Sequence, residues 1–186
     1  MALTSSTLPV ETLEGAVDVS LADRLRQVVQ NQTQHPLEKA TVSVAGLGPI
    51  QLGMTIAEAS QATGVEFAIA PGDRAQVCQY YLPTNGIDGL GLMAIEGRII
   101  RIDIWPGSPI QTVSGARIGT TEAQLEALYP GQIEVLLRAD GKYLTYTSNE
   151  DGRNLYRIVF ETSPEGRVTQ YRTGQFPAVT WLEGCS

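Results

Sequence analysis

Leu52-Gly53-Met54-Thr55-Ile56-Ala57-Glu58-Ala59 returns 66 residues later as Ile118-Gly119-Thr120-Thr121-Glu122-Ala123-Gln124-Leu125. In the first copy Thr55 is placed to cap a helix, with Glu58 three residues on. In the second copy Thr121 and Gln124 hold the same places. A Thr followed three residues later by Glu or Gln is a capping box, in which each partner satisfies a backbone N–H of the other. Gly53 and Gly119 precede each cap by two residues, where a tight turn calls for positive φ. Each short helix then meets a breaker, Gly64 in the first copy and Pro130-Gly131 in the second. A duplicated unit dictates architecture before any residue is assigned chemistry.

Strand-type runs follow each helix. They lie at 65–70, 77–82, 90–95 and 98–105 in the first copy, and at 133–138, 142–147, 154–160 and 167–172 in the second. Asp140-Gly141 is a strong hairpin signal. Glu96-Gly97-Arg98 and Glu165-Gly166-Arg167 close the last hairpin of each copy at an offset of 69, and Tyr80 and Tyr146 coincide at 66. The alternation Ile100-Arg101-Ile102-Asp103-Ile104 puts isoleucines on one face and charges on the other, so one sheet face is expected buried and the other wet. The helices are the natural cover for the apolar face. The fold class is therefore α+β: two tandem units, each a helix plus a four-stranded antiparallel sheet. The two sheets either join as one curved eight-stranded sheet or stay separate.

Outside the repeats, residues 1–18 lack periodicity and read as a disordered arm. Leu21, Leu25, Val28 and Val29 then share one helical face, with Ser20 as a cap and Asp23 three residues on. Asn31-Gln32-Thr33 matches a glycosylation acceptor, which needs a eukaryotic secretory route. Residues 41–44 alternate as a short strand, and Gly46, Gly48 and Pro49 read as breaks. The organisation expected is an arm at 1–18, a helix plus first repeat at 19–113, and a second repeat at 114–186.

The charge balance excludes some functions. Of 13 basic residues only Lys39 and Lys142 are lysines, and the eleven arginines are scattered in a chain of net charge −7. Nucleic acid and anionic membrane surfaces demand clustered Lys and Arg, so neither is an expected partner. No apolar run approaches the length of a membrane-spanning helix, and residues 1–15 lack the basic and apolar regions of a signal peptide.

The two cysteines are Cys78 and Cys185, the second being the penultimate residue. An even count in a lysine-poor, strand-rich chain is compatible with one disulfide, which would stop the C-terminus fraying. That bond would favour a periplasmic or secreted location, a cytoplasmic one being the alternative. The alternative is two unrelated reduced thiols.

No catalytic constellation emerges. His35, the sole histidine, lies in the polar stretch Gln32-Thr33-Gln34-His35-Pro36 and reads as a solvated loop residue. One histidine and two distant cysteines do not make a zinc site with paired spacing. Asp103, Glu58, Glu96 and Asp88 are the carboxylates weighed for acid–base work. Asp103 falls on a polar strand face, Glu58 is a cap partner and Glu96 a turn residue. Gly86-Ile87-Asp88-Gly89-Leu90-Gly91 lacks the lysine of a phosphate loop, and Asn149-Glu150-Asp151-Gly152 lacks calcium-loop spacing. No metal, no cofactor and no enzymatic activity are therefore expected. The aromatic residues offer more. Trp105, Tyr80, Tyr146 and Tyr171, with Arg101 beside them, are the candidate partner-binding residues. Cross-strand packing explains such residues equally well.

The Leu-Gly-Met-Thr motif, the short helix, four strands and the second Gly-x-Thr copy resemble the tandem-repeat fold of β-lactamase-inhibitor-like proteins. They also resemble the single-copy small outer-membrane lipoproteins of the SmpA/OmlA type. The likeness covers about residues 50–175. It implies a bacterial, secreted or periplasmic protein that binds other proteins, the inhibitor members doing so through hairpin loops and a concave aromatic sheet face. There is no N-terminal lipobox cysteine, and the helix near residues 20–30 is additional. The leading functional expectation is a non-enzymatic, extracytoplasmic module that binds a protein through its sheet face or hairpin loops. A small-ligand carrier would instead require a deep apolar pocket with convergent polar groups. A hydrolase with an unrecognised site would require clustered groups of perturbed pKa.

Overall fold

The computed structural model describes residues 20–21, 23–24, 36–37, 39–72, 77–148, 155–182 and 184–185. The chain divides into two compact units, Met1–Gln34 and His35–Ser186. In the first unit, Leu21, Asp23 and Arg24 are helical. The Ser20 hydroxyl donates to Asp23 Oδ2 at 2.8 Å and accepts from the Asp23 N–H at 3.2 Å, the cap expected there. The arm read at 1–18, Leu25, Val28, Val29, His35, the 31–33 glycosylation motif and the 149–152 acidic turn lie outside the described residues.

The second unit has α+β architecture. Helices α1 (Ile56–Thr63) and α2 (Glu122–Leu128) accompany an eight-stranded antiparallel sheet. Its strands are β4 (Phe67–Ile69), β5 (Cys78–Pro83), β6 (Leu90–Ile95), β7 (Arg98–Ile104), β9 (Ile133–Arg138), β10 (Gly141–Thr147), β11 (Tyr156–Thr162) and β12 (Val168–Gln175). Their order is β4-β5-β6-β7-β12-β11-β10-β9. Each repeat contributes a four-stranded meander, and the two last strands, β7 and β12, pair from Tyr171↔Ile104 to Gly174↔Arg101. Of the two arrangements open to the sequence, the repeats thus form one continuous sheet.

Both capping boxes form. Thr55 and Thr121 each accept from the N–H three residues on at 3.2 Å, and the Glu58 and Gln124 side chains accept from the cap N–H in return at 2.7 and 2.9 Å. Gly53 and Gly119 have φ +94° and +87°, conformations that any Cβ would strain. Helix α1 ends at Gly64 in the left-handed conformation, and α2 ends at Tyr129, one residue before Pro130.

The two repeated motifs of each copy also bind one another. Arg98 Nη1 donates to the Gly53 carbonyl at 2.8 Å, and Arg167 Nη1 to the Gly119 carbonyl at 3.2 Å. Thr55 bridges to Arg98, and Thr121 to Arg167. The Gly-x-Thr turn is thereby fixed to the start of the last strand of its own repeat.

A second, four-stranded sheet was not expected. Its order is β3-β2-β1-β8, from β1 (Thr41–Ser43), β2 (Gly46–Leu47), β3 (Ile50–Gln51) and β8 (Gln111–Thr112). The glycines read as breaks instead make a tight hairpin. A Cβ on Gly46 would stand 1.9 Å from the Ile50 carbonyl oxygen, so only glycine lets those backbones pair.

One hydrophobic cluster unites this small sheet (Val42, Leu47, Ile50), the helices (Ala59, Leu125) and the inner face of the large sheet (Leu92, Ile102, Ile104, Leu144, Ile158, Phe160, Tyr171). Two expectations about β7 need correction. Ile100 does not follow Ile102 and Ile104 into the core. Met93 pairs with Arg101 but Ala94 with Ile99, so Ile100 is the extra residue of a bulge and Ile99 takes the buried place. The charged face is not wet either, because the end of the chain covers it.

Candidate functional site

After β12 the chain turns back through a 3-10 turn, Ala178–Thr180, over the outer face of the large sheet. Arg101, Asp103 and Arg172 project there and are 3, 2 and 2% exposed. Burying a charge is costly unless it is paired and hydrogen-bonded, and of these three side chains only Arg172 keeps an atom, Nη2, without a partner. Arg101 Nε meets both Asp103 carboxylate oxygens at 2.9 Å, and its Nη2 lies 2.6 Å from Oδ1. Its Nη1 donates to the carbonyls of Trp181 at 2.6 Å and Ala178 at 3.2 Å. Arg172 Nε donates to the Val179 carbonyl at 2.6 Å, and its Nη1 pairs with Glu161. The Cys78–Cys185 disulfide then ties the end of this strap to β5.

Burial pushes the Asp103 carboxyl above its ordinary range, against the opposing pull of Arg101. Burial also raises Tyr80, assisted by the Asp103 charge, and the Tyr80 hydroxyl lies 3.3 Å from Asp103 Oδ2. Two neighbouring groups with raised pKa meet one criterion for a catalytic site. Their surroundings point to structure, since Asp103 is enclosed and its partner Arg101 is engaged by strap carbonyls. Glu58, Glu96 and Asp88 are exposed, whereas Asp103 is enclosed.

The five candidate binding residues fall on opposite faces. Tyr80, Trp105 and Arg101 share the outer face. The Tyr80 and Trp105 rings lie 5.7 Å apart, and Trp105 rests on Gly91, where a Cβ would come within 2.2 Å of the indole. Arg101 is beneath the strap. Tyr146 and Tyr171 lie on the inner face. Tyr146 stacks on Tyr129 at 4.9 Å, and Tyr171, 1% exposed, donates to the Ile110 carbonyl at 2.8 Å. Packing accounts for both.

Strand β9 is the surface that sequence reasoning missed. It ends the large sheet and pairs only with β10 among the described strands. Val135, Leu136 and Leu137 are 55, 60 and 74% exposed. Val135 is opposite the buried Leu144, and Leu136 is opposite Tyr143 on the outer face. The Tyr143 ring lies 5.0 Å from the Arg138 guanidinium and 5.5 Å from that of Arg172. An unpaired edge with apolar side chains on both faces is a template for another strand. The available signal was the unalternating triplet Val135-Leu136-Leu137 next to a hairpin turn.

An open groove of about 670 Å³ lies beside α2, lined by Gln111, Arg117, Thr120, Gln124, Leu128 and Arg167 among others. Arg167 is engaged there with Gly119, and the Thr120 hydroxyl accepts from the Arg117 N–H at 2.9 Å. Among the described residues no group of three His, Cys, Asp or Glu side chains is placed to hold a metal ion. None of the described helices is long and apolar enough to cross a membrane.

No protein-family model and no curated protein matches the chain. Among solved structures, it is similar to the uncharacterized protein yfeY of Escherichia coli, at 17% identity and a TM-score of 0.46, over 73% of this chain and 99% of that one. It is also similar to a cysteine-rich secretory protein of Staphylococcus aureus, at 13% identity and a TM-score of 0.46. That match covers 82% of this chain and 52% of the other, so the chain spans about half of that protein's length.

Proposed function

We propose that this protein is a non-enzymatic, extracytoplasmic binding module that engages another polypeptide through the β9 edge and the β9–β10 hairpin. The observation that carries this reading is the exposure of Val135, Leu136 and Leu137 on an edge strand. Edge strands of soluble proteins are ordinarily shielded by charge, proline or a covering segment. Exposed backbone hydrogen-bonding groups give affinity to an added strand, and alternate side chains give it selectivity. The Cys78–Cys185 bond supports an oxidising compartment. The resemblance to β-lactamase-inhibitor-like proteins, whose inhibitor members bind through hairpin loops and a sheet face, supports protein binding. Trp105 and Tyr80, at the border of the strap, are a secondary contact in this reading.

A photo-reactive residue at position 136 tests it in the native host. Covalent capture of a polypeptide from position 136, absent from the same probe at Ala68 on the opposite edge, is the expected result. Equal capture from both edges, or none from position 136, would contradict the reading.

A further inference from the structure

We infer that β9 takes a second copy of this chain, pairing antiparallel with its counterpart about a twofold axis through Leu136. This rests on the reading of β9 as a polypeptide-binding edge and names the partner. Directly opposed residues in a sheet share a face, so two β9 strands that continue the sheet must oppose residues of like parity. The register centred on Leu136 sets Leu136 against Leu136, Val135 against Leu137 twice, and Glu134 against Arg138 twice. Both ion pairs then flank the apolar centre on the outer face. Opposite charges directly across strands stabilise a pair of strands, whereas like charges oppose it.

No other register does as well. Centring on Val135 opposes Glu134 to Leu136 and leaves Arg138 beyond the paired segment. Centring on Leu137 leaves Glu134 without a counterpart in the strand. The spacing of Glu134 and Arg138 thus selects one self-complementary alignment. The isologous contact also closes: both β9 edges are consumed and the sheet ends on β4 at each side. Pairing β9 with β4 of another copy would be open-ended and would offer only the three residues Phe67–Ile69. With six residues on each side, the contact belongs to the small, reversible class of interfaces.

Sedimentation equilibrium on the intact, disulfide-bonded chain tests this. The wild type should move from 20.0 kDa toward twice that mass as concentration rises. Glu134→Arg and Arg138→Glu should each weaken self-association by about tenfold or more, by creating like-charge pairs. An equimolar mixture of the two variants should dimerise again, because every opposed pair is then complementary, and this recovery also shows that both variants are folded. A wild type that stays at 20.0 kDa, variants that dimerise as it does, or masses that grow beyond the dimer would each overturn the proposal. Capture from position 136 by a different protein, with a monomeric wild type, would overturn self-pairing alone. A monomeric wild type with no capture from position 136 would overturn the binding reading as well.

Discussion

The Arg98 guanidinium donates to the carbonyl oxygen of Gly53 at 2.8 Å, joining the two motifs that each repeat carries. The hairpin arginine and the turn glycine are 45 residues apart, and their counterparts Arg167 and Gly119 make the same bond 48 residues apart. The repeat is therefore a mechanical unit, in which the last hairpin fixes the turn that starts the covering helix. Arg98→Ala should destabilise the protein by about 0.5–1.5 kcal/mol, a charge-assisted bond weakened by exposure. At about 2–4 °C per kcal/mol for a chain of this size, thermal unfolding resolves the effect. No change in midpoint would remove the staple from the account.

The two capping boxes differ by one atom type, which makes an internal control. The backbone and side-chain hydrogen bonds from Thr55 hold Glu58 below its ordinary carboxyl range, with a smaller contribution from Arg98. A depressed folded pKa contributes stability above the unfolded value of 4.5, and that contribution is lost as pH falls through the folded value. Gln124 has no such titration. Acidification below 4.5 should loosen the bond from the Thr55 N–H to Glu58 and leave the bond from the Thr121 N–H to Gln124 in place, as read by amide exchange at the two cap N–H groups. Glu58→Gln should abolish the difference. Equal loosening of the two cap N–H groups would contradict it.

Asp103 and Arg101 form a buried pair whose other bonds all go to neighbours in the fold. Asp103→Ala leaves Arg101 uncompensated and should cost about 3–5 kcal/mol. The double variant Arg101→Met with Asp103→Leu should recover most of that loss. Recovery of less than half would show that the Arg101 bonds to the Ala178 and Trp181 carbonyls matter more than charge balance.

The disulfide closes a sequence separation of 107 residues and holds the strap over the outer face. Denatured, unreduced protein should titrate no free thiol. Replacing both cysteines with serine should destabilise by up to about 4–5 kcal/mol in the chain-entropy model. It should also increase quenching of tryptophan fluorescence by acrylamide, since Trp181 lies in the strap and Trp105 packs on Tyr80. Unchanged quenching would mean that the strap stays seated without its bond.

Where the chain speaks through local pattern, the sequence was legible. The capping residues, turn glycines and strand runs of both repeats lie within three residues of the observed elements, because each is set by neighbours in sequence. The small sheet was not legible, since β2, β3 and β8 have two residues each and no period to read. Nor was the fate of Arg101 and Asp103. Their alternation marks an outward face, but the cover comes from residues 178–182, far along the chain. The same limit hid β9, because a run such as Val135-Leu136-Leu137 fits a buried strand and an edge strand alike. Tyr146 and Tyr171 show the converse, since aromatic identity alone did not reveal which face each occupies.

The β9 edge is tested most directly by amide hydrogen exchange across residues 133–138 at low and high protein concentration. The account predicts fast exchange of the outward-facing amides in dilute protein, and slowing with concentration that is confined to β9. Strand β4 at the opposite edge should be unaffected. Exchange across 133–138 that stays fast at every concentration, or slowing that appears equally in β4, would contradict it.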